Sequence, residues 1–336
     1  MSDWVDLRSD TVTRPTDAMR RAMAAAEVGD DGMREDPTVN ELEAVFASRL
    51  GKEAALFVPS GTMANQIALR LLGVPGTSVV VGRRQHVVTY ENGGAAMNSS
   101  VQFHLVDDTE GTVKPDDVRW AIEAAENHWL GVSAVFVENT HMPACGAPMS
   151  LAVLDELELC GLPLHMDGAR LFNAEVATGI NAATYAARAV TVMCSLSKGL
   201  AAPVGSLLAG PNGLMERARG ERKRLGGGMR QAGVLAAAGL VALSQQIERL
   251  ADDHRRARRL ADAAADRWPG SGLDPARVTT NIVVFEHPHP MKLLAHLESE
   301  GIRAGTLAPG VVRFATHLDV DDAGIDRAVQ AIASAP

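Results

Sequence analysis

The chain has few cysteines, no long apolar run and no excess of positive charge, and each shortage removes a class of protein. Its three cysteines, Cys145, Cys160 and Cys194, are odd in number and show no C-x-x-C spacing. That argues against both a disulfide framework and a thiolate zinc site, and leaves them as structural residues. The longest apolar stretch, Gly233 to Leu243, falls far short of the ~20 residues a membrane span requires. The opening Met1-Ser-Asp-Trp-Val-Asp6 has neither the basic nor the apolar region of a secretory signal, so a cytoplasmic protein is expected. A net charge of −9 repels nucleic acid over most of the surface, and the arginines are largely interleaved with acids. Neither G-x-x-x-x-G-K-[ST] nor G-x-G-x-x-G occurs, which disfavours nucleotide-binding loops. His287-Pro-His289 sits in a loop-like stretch and reads as structural, so no metal is expected.

What is present is a sequence of 336 residues with 46% hydrophobic content, enough for one large domain and a smaller one. Short β-branched runs alternate with longer amphipathic stretches over the first two-thirds, the pattern of helices covering a parallel sheet. The expected strands are Ala54 to Val58, Ser78 to Val81, Val101 to Leu105, Ala134 to Val137, Pro163 to Met166 and Thr191 to Ser195. A long Ala- and Arg-rich helical connector is expected from Val234 to about Trp268. Strand (Val278 to Phe285), helix, strand (Val311 to Ala315) and helix then suggest a small α+β domain. The expected division is a large α/β domain over 1–240, whose first ~15 residues form an arm, and a small domain over 241–336 that includes the connector.

Three segments carry chemistry. Ser60-Gly61-Thr62 follows a strand and opens a helix, so its backbone N–H groups and hydroxyls stand at the positive end of a helix dipole. It suits a phosphate, although an ordinary N-cap looks the same. His165-Met-Asp167-Gly-Ala169-Arg170 carries a strand straight into an acid that can hold a pyridine nitrogen protonated, and Ala169 is small enough for a flat ring to lie against it. Ser195-Leu-Ser-Lys198-Gly places a lysine after a strand, among apolar neighbours that favour a neutral amine. The same segment fits S-x-x-K of penicillin-recognising serine enzymes, but the companion S-D-N and K-T-G are absent. The order of a phosphate-type turn, an acid and a lysine, each at a strand end, points to pyridoxal 5′-phosphate (PLP).

Longer strings extend this. Asp6-Leu-Arg-Ser-Asp-Thr-Val-Thr13, Glu35-Asp-Pro-Thr-Val-Asn-Glu-Leu42, Glu138-Asn-Thr-His141, His165 to Asn173 and Gly226-Gly-Gly-Met-Arg-Gln-Ala-Gly233 resemble the low-specificity threonine aldolases, PLP enzymes of the aspartate aminotransferase fold type, over almost the whole chain. The resemblance implies a PLP-dependent transferase-like (fold type I) large domain with a mostly parallel central sheet. It also implies cleavage of L-threonine, L-allo-threonine and related β-hydroxy-α-amino acids to glycine and an aldehyde, by a homotetramer with shared active sites. Lys198 becomes the Schiff-base lysine, Asp167 the partner of the pyridine nitrogen, and Ser60, Gly61 and Thr62 the phosphate turn. His86 matches the histidine that stacks on the ring, and His128 the one placed near the substrate hydroxyl. Ser9, Arg170 and Arg313 match the groups that hold the substrate carboxylate, while Lys223 and Arg230 match basic residues near the phosphate, partly from a neighbouring subunit. The chain departs from the family at Gly32-Met33-Arg34, where an aromatic is lost and a cation gained, and at Met142-Pro143, where a polar residue is usual. Both departures bear on the aldehyde portion of the substrate. The alternatives are another PLP lyase or racemase, or a PLP-binding protein that acts by interaction.

Overall fold

The computed structural model describes residues 4–335. A seven-stranded sheet runs in the order Ala54–Val58, Ser206–Gly210, Thr191–Ser195, Leu164–Asp167, Val132–Glu138, Ser78–Gly82, Gln102–Val106. Ser206–Gly210 pairs antiparallel to both neighbours and the other pairings are parallel. Its central strands are buried on both faces, as helices on either side require. Alternation along Ser78–Gly82 shows this directly: Val80 joins one hydrophobic cluster, with Phe46, Val135 and Tyr185, while Val79 and Val81 join another, with Ile67 and Phe136.

Local sequence sets the ends of the helices. Pro37–Leu50 starts with Asp36 accepting from the Val39 N–H and with proline at the first helical position, and it stops at Gly51 in the left-handed conformation, φ 62°. That helix packs closely on Gly233–Gln245 at Gly239, where any side chain would meet Leu42 and Leu196 at 2.9 Å.

A second core, with Leu260, Phe285, Phe314 and Ile332, lies under the antiparallel sheet of Ile282–Glu286, Val311–Ala315 and Gly305–Ala308. Three expectations need correction. The connector is two helices, Gly233–Gln245 and Leu250–Arg267. The first lies on the large core, as do Ile247 and Leu250, and membership passes to the small core at Ala257 within the second helix. The opening residues are not an arm of the large domain alone: Val5–Asp6 pairs parallel to Ile302–Arg303 and Val5 and Leu7 enter the small core, while Asp10 bonds Arg170 of the large domain. The strand Ser206–Gly210 was not expected, because a five-residue Ser-Leu-Leu-Ala-Gly segment has no alternation or β-branched residue to mark it. Among the described residues no helix is long and apolar enough to cross a membrane.

The sheet's main consequence is alignment. Glu138 pairs with Asp167, Asp167 with Met193, and Ser206 with both Ser195 and Val58. Residues scattered from 58 to 206 therefore end on one edge, where open α/β sheets place ligands.

Candidate active site

A cavity of roughly 240 Å³ opens over that edge, between the large sheet and the small domain. Glu138, Asp167, Ala169, Arg170 and Lys198 contribute from the large domain, Arg313 from the small sheet, Ser9 and Thr11 from the opening segment, and His86, Tyr90 and Met142 complete it.

Asp167 is buried at its strand end, and Gly168 lets the chain turn there because a side chain at that position would strike the Met193 carbonyl at 2.7 Å. Asp167 Oδ1 accepts from the Ala169 N–H at 3.0 Å and Oδ2 from Asn65 Nδ2 at 2.8 Å. Burial alone would raise its pKa, but His86, Lys198 and the Asn65 amide outweigh burial and hold it below the ordinary aspartate value. Glu138, its neighbour in the sheet, goes the other way. Burial raises it, although His141 and the backbone N–H groups of Met142 and His86 favour its ionised form. Two adjacent carboxyls are thus driven apart, one kept ionised and one more ready to hold a proton.

His86 opens the short helix His86–Thr89 and gives Nδ1 to Glu91 Oε1 at 2.9 Å. Burial lowers its pKa, but that bond and the charge of Asp167 reverse the effect, so it is more basic than an ordinary histidine. The amine of Lys198 makes no hydrogen bond or ion pair with a described residue, and burial, then Arg170, push it below the ordinary lysine value despite three nearby acids.

The two guanidinium groups differ. Arg170 is forked onto Asp10, Nε to Oδ2 and Nη2 to Oδ1, both at 2.7 Å. Asp10 thus occupies the Nε/Nη2 edge, while Nη1 has no partner among the described residues and Arg170 still lines the cavity. Arg313 has no carboxylate partner among the described residues. Nη2 donates to the Arg8 carbonyl at 2.6 Å, Nη1 to the Met142 sulfur at 3.1 Å, and Nε to nothing. Ser9 caps its own turn, accepting from the Thr11 N–H and hydroxyl.

Some expected residues do not meet here. His128 lies exposed in the turn after the helix Pro115–Glu126, with φ 71°. It precedes the strand Val132–Glu138, whose far end carries Glu138, so the whole strand separates it from its own chain's cavity. Lys223 and Arg230 are exposed on a separate cavity of roughly 340 Å³ beside Arg34 and Arg222. Ser60 caps the helix Gly61–Leu72 through the Met63 N–H, which leaves the N–H groups of Gly61 and Thr62 without acceptors among the described residues. Their turn sits beside the buried Ser206 hydroxyl, which also lacks a partner.

Sequence reasoning passed over Glu91, Asn65, Asp10, Tyr90 and Glu138 as site residues. Glu138 and Asp10 stood inside the quoted strings, and for Glu138 an acid closing an expected strand was the available signal. Nothing in the sequence pairs Glu91 with His86 beyond their spacing.

An acid, a lysine with a free amine and a phosphate-type turn on the carboxyl edge of such a sheet, with a small α+β domain closing over them, define the class as PLP fold type I. A threonine aldolase structure from Leishmania major superposes with a TM-score of 0.85 at 19% identity, covering 98% of each chain. The β-eliminating lyase family model matches residues 6–288. Low-specificity L-threonine aldolase 1 of Arabidopsis thaliana is 42% identical over 89% of this chain and 87% of its own, and the Escherichia coli K12 low specificity L-threonine aldolase is 40% identical over 94% of each. The chain belongs to the β-eliminating lyase family and, within it, to the low-specificity L-threonine aldolases.

Proposed function

We propose that the chain binds PLP at Lys198 and cleaves β-hydroxy-α-amino acids, L-threonine and L-allo-threonine among them, to glycine and an aldehyde. The observation that carries this is one cavity holding a lysine amine without a partner, a buried ionised aspartate and an arginine without a carboxylate. The residues fit the cofactor. Gly61 and Thr62 N–H groups and the unpartnered Ser206 hydroxyl suit its phosphate, Asp167 its ring nitrogen, and Ala169 and His86 its faces. When bound, PLP supplies an electron sink for the pair released as the Cα–Cβ bond breaks.

The chain's own residues supply orientation and proton movement. Arg313 and Arg170, the latter braced by Asp10, take the substrate carboxylate together with Ser9. His86, with Nδ1 committed to Glu91, offers Nε2 to the β-hydroxyl proton. A homotetramer with shared sites belongs to this reading and rests on the resemblance. His128, Lys223 and Arg230, exposed and outside their own chain's cavity, are the residues such sharing would recruit. A cytoplasmic location rests on the sequence alone.

The test is product analysis of the holoenzyme with L-threonine, L-allo-threonine and L-serine, where glycine and the matching aldehyde are expected. Lys198→Ala should remove the cofactor's visible band and nearly all turnover. A D-amino acid product, or ammonia with a keto acid, would move the reading to a racemase or another lyase. Aldol cleavage surviving in Lys198→Ala would end it.

A further inference from the structure

Asn65 stands one turn into the helix whose first residues form the phosphate turn, and it is 1% exposed. Its Nδ2 donates both hydrogens to carboxylates, one to Glu91 Oε1 and one to Asp167 Oδ2, each at 2.8 Å. Its Oδ1 faces His165 Nε2 at 3.1 Å, and His165 Nδ1 faces the Thr191 hydroxyl at 2.8 Å. Chemistry settles which way the amide points, because ionised carboxylates only accept. Asn65 Oδ1 must then accept from His165 Nε2–H, and Thr191 must donate to Nδ1. This requires a neutral imidazole, and burial holds the His165 pKa down to about 4. Both amide hydrogens of Asn65 and its amide oxygen are engaged.

We infer that Asn65 is a positioning residue that sets both carboxylates at the ring end of the site with one amide: Asp167 directly, and His86 through Glu91. Oxygens of Asp167 and Glu91 and a nitrogen of His86 lie within 4.8 Å of one another. Two carboxylates so close repel unless a donor stands between them, and the Asn65 nitrogen bonds both. The adjacent Gln66 ties Glu91 Oε2 at 2.7 Å, so the same helix grips both oxygens of Glu91. Phosphate turn and ring-end acids are thereby fixed to one rigid element, a turn apart.

The inference rests on the reading that Asp167 partners the PLP ring, and the test separates the two. Asn65→Asp and Asn65→Leu are compared with wild type for PLP release on dialysis and for kcat and KM with L-threonine. A packing role makes the isosteric Asp variant the milder one. Positioning by donated hydrogens makes it at least as harmful as Leu, because it puts a third carboxylate between two others. Release faster by roughly tenfold to a hundredfold is expected, with kcat falling by a similar factor and KM changing less, since Arg313 lies at the other end. Should Asn65→Asp not fold, Glu91→Gln probes the same link: it removes the charge and one of the two acceptor oxygens that Asn65, His86 and Gln66 share, and kcat should fall more than KM rises. An Asp variant that keeps PLP and kcat near wild type overturns the inference, as does a Leu variant clearly worse than a folded Asp variant. Wild-type protein that fails to bind PLP overturns the underlying reading instead.

Discussion

The two ends of the cavity are built on opposite plans. At the ring end, Asp167, Asn65, His165, Glu91 and His86 form a closed network on the large domain, with each carboxylate oxygen on a donor. At the small-domain end Arg313 touches a sulfur and a carbonyl, and its Nε is unpaired. The comparison teaches what each end is for. On the proposed reading, protonation states are set before a substrate arrives, which demands satisfied partners, whereas a guanidinium that receives a carboxylate needs an open N–H edge. Arg170 and Arg313 show the contrast within one residue type.

The sharpest way to break this comparison is to unpair Arg170. Asp10→Ala leaves a buried guanidinium without its counter-charge, and about 3–5 kcal/mol of stability should be lost in a urea melt. A loss under ~1 kcal/mol would mean that Arg170 is no more committed than Arg313. Next is Arg313→Ala, which should lower kcat/KM for L-threonine by roughly tenfold to a hundredfold, mainly through KM, while leaving the melt nearly unchanged. Destabilisation like that of Asp10→Ala would show that Arg313 is structural.

The smallest effect tests the support behind Arg170. Asn281 donates to Asp10, and Asn173 donates to both Asn281 and His254 Nε2. Burial, then Arg249, hold the His254 pKa at about 4, so this histidine stays neutral in the fold but takes a proton near 6.5 when unfolded. Between those values the unfolded chain binds the extra proton, and stability falls as pH falls. Buried Asp253, raised to about 6, works in the opposite sense between its unfolded value and 6, while His165, at about 4, adds to the loss. Glu138 and His86, whose pKa values are also raised, oppose the loss as Asp253 does, and the His254 share of it from pH 6.5 to 5 is about 1.5 kcal/mol. His254→Asn should remove most of it, which thermal melts at both pH values would show. An equal drop in the variant would place the titration elsewhere.

Much of this was legible in advance because it is local. Ala54–Val58, Thr191–Ser195 and Val311–Ala315 matched their expected limits, since each is a short apolar run closed by turn residues. That Asp167 and Lys198 meet in one cavity was legible because strand ends in such a sheet face the ligand edge. His128 was not, since nothing in its own segment tells which end of the following strand it occupies relative to the site.

By itself, then, the sequence determined the class of fold, the family, and the placing of Asp167 at one strand end and Lys198 just past the next. These follow from periodicity, turn chemistry and long specific strings, all of which are written along the chain. Only the tertiary structure decided that Asp10 occupies Arg170, that Arg313 stays open, and that Asn65 joins Glu91 to Asp167 across 26 and 102 residues. Partner choice among buried polar groups depends on distance and burial in three dimensions, and side chains far apart in sequence carry no mark of which one each will meet.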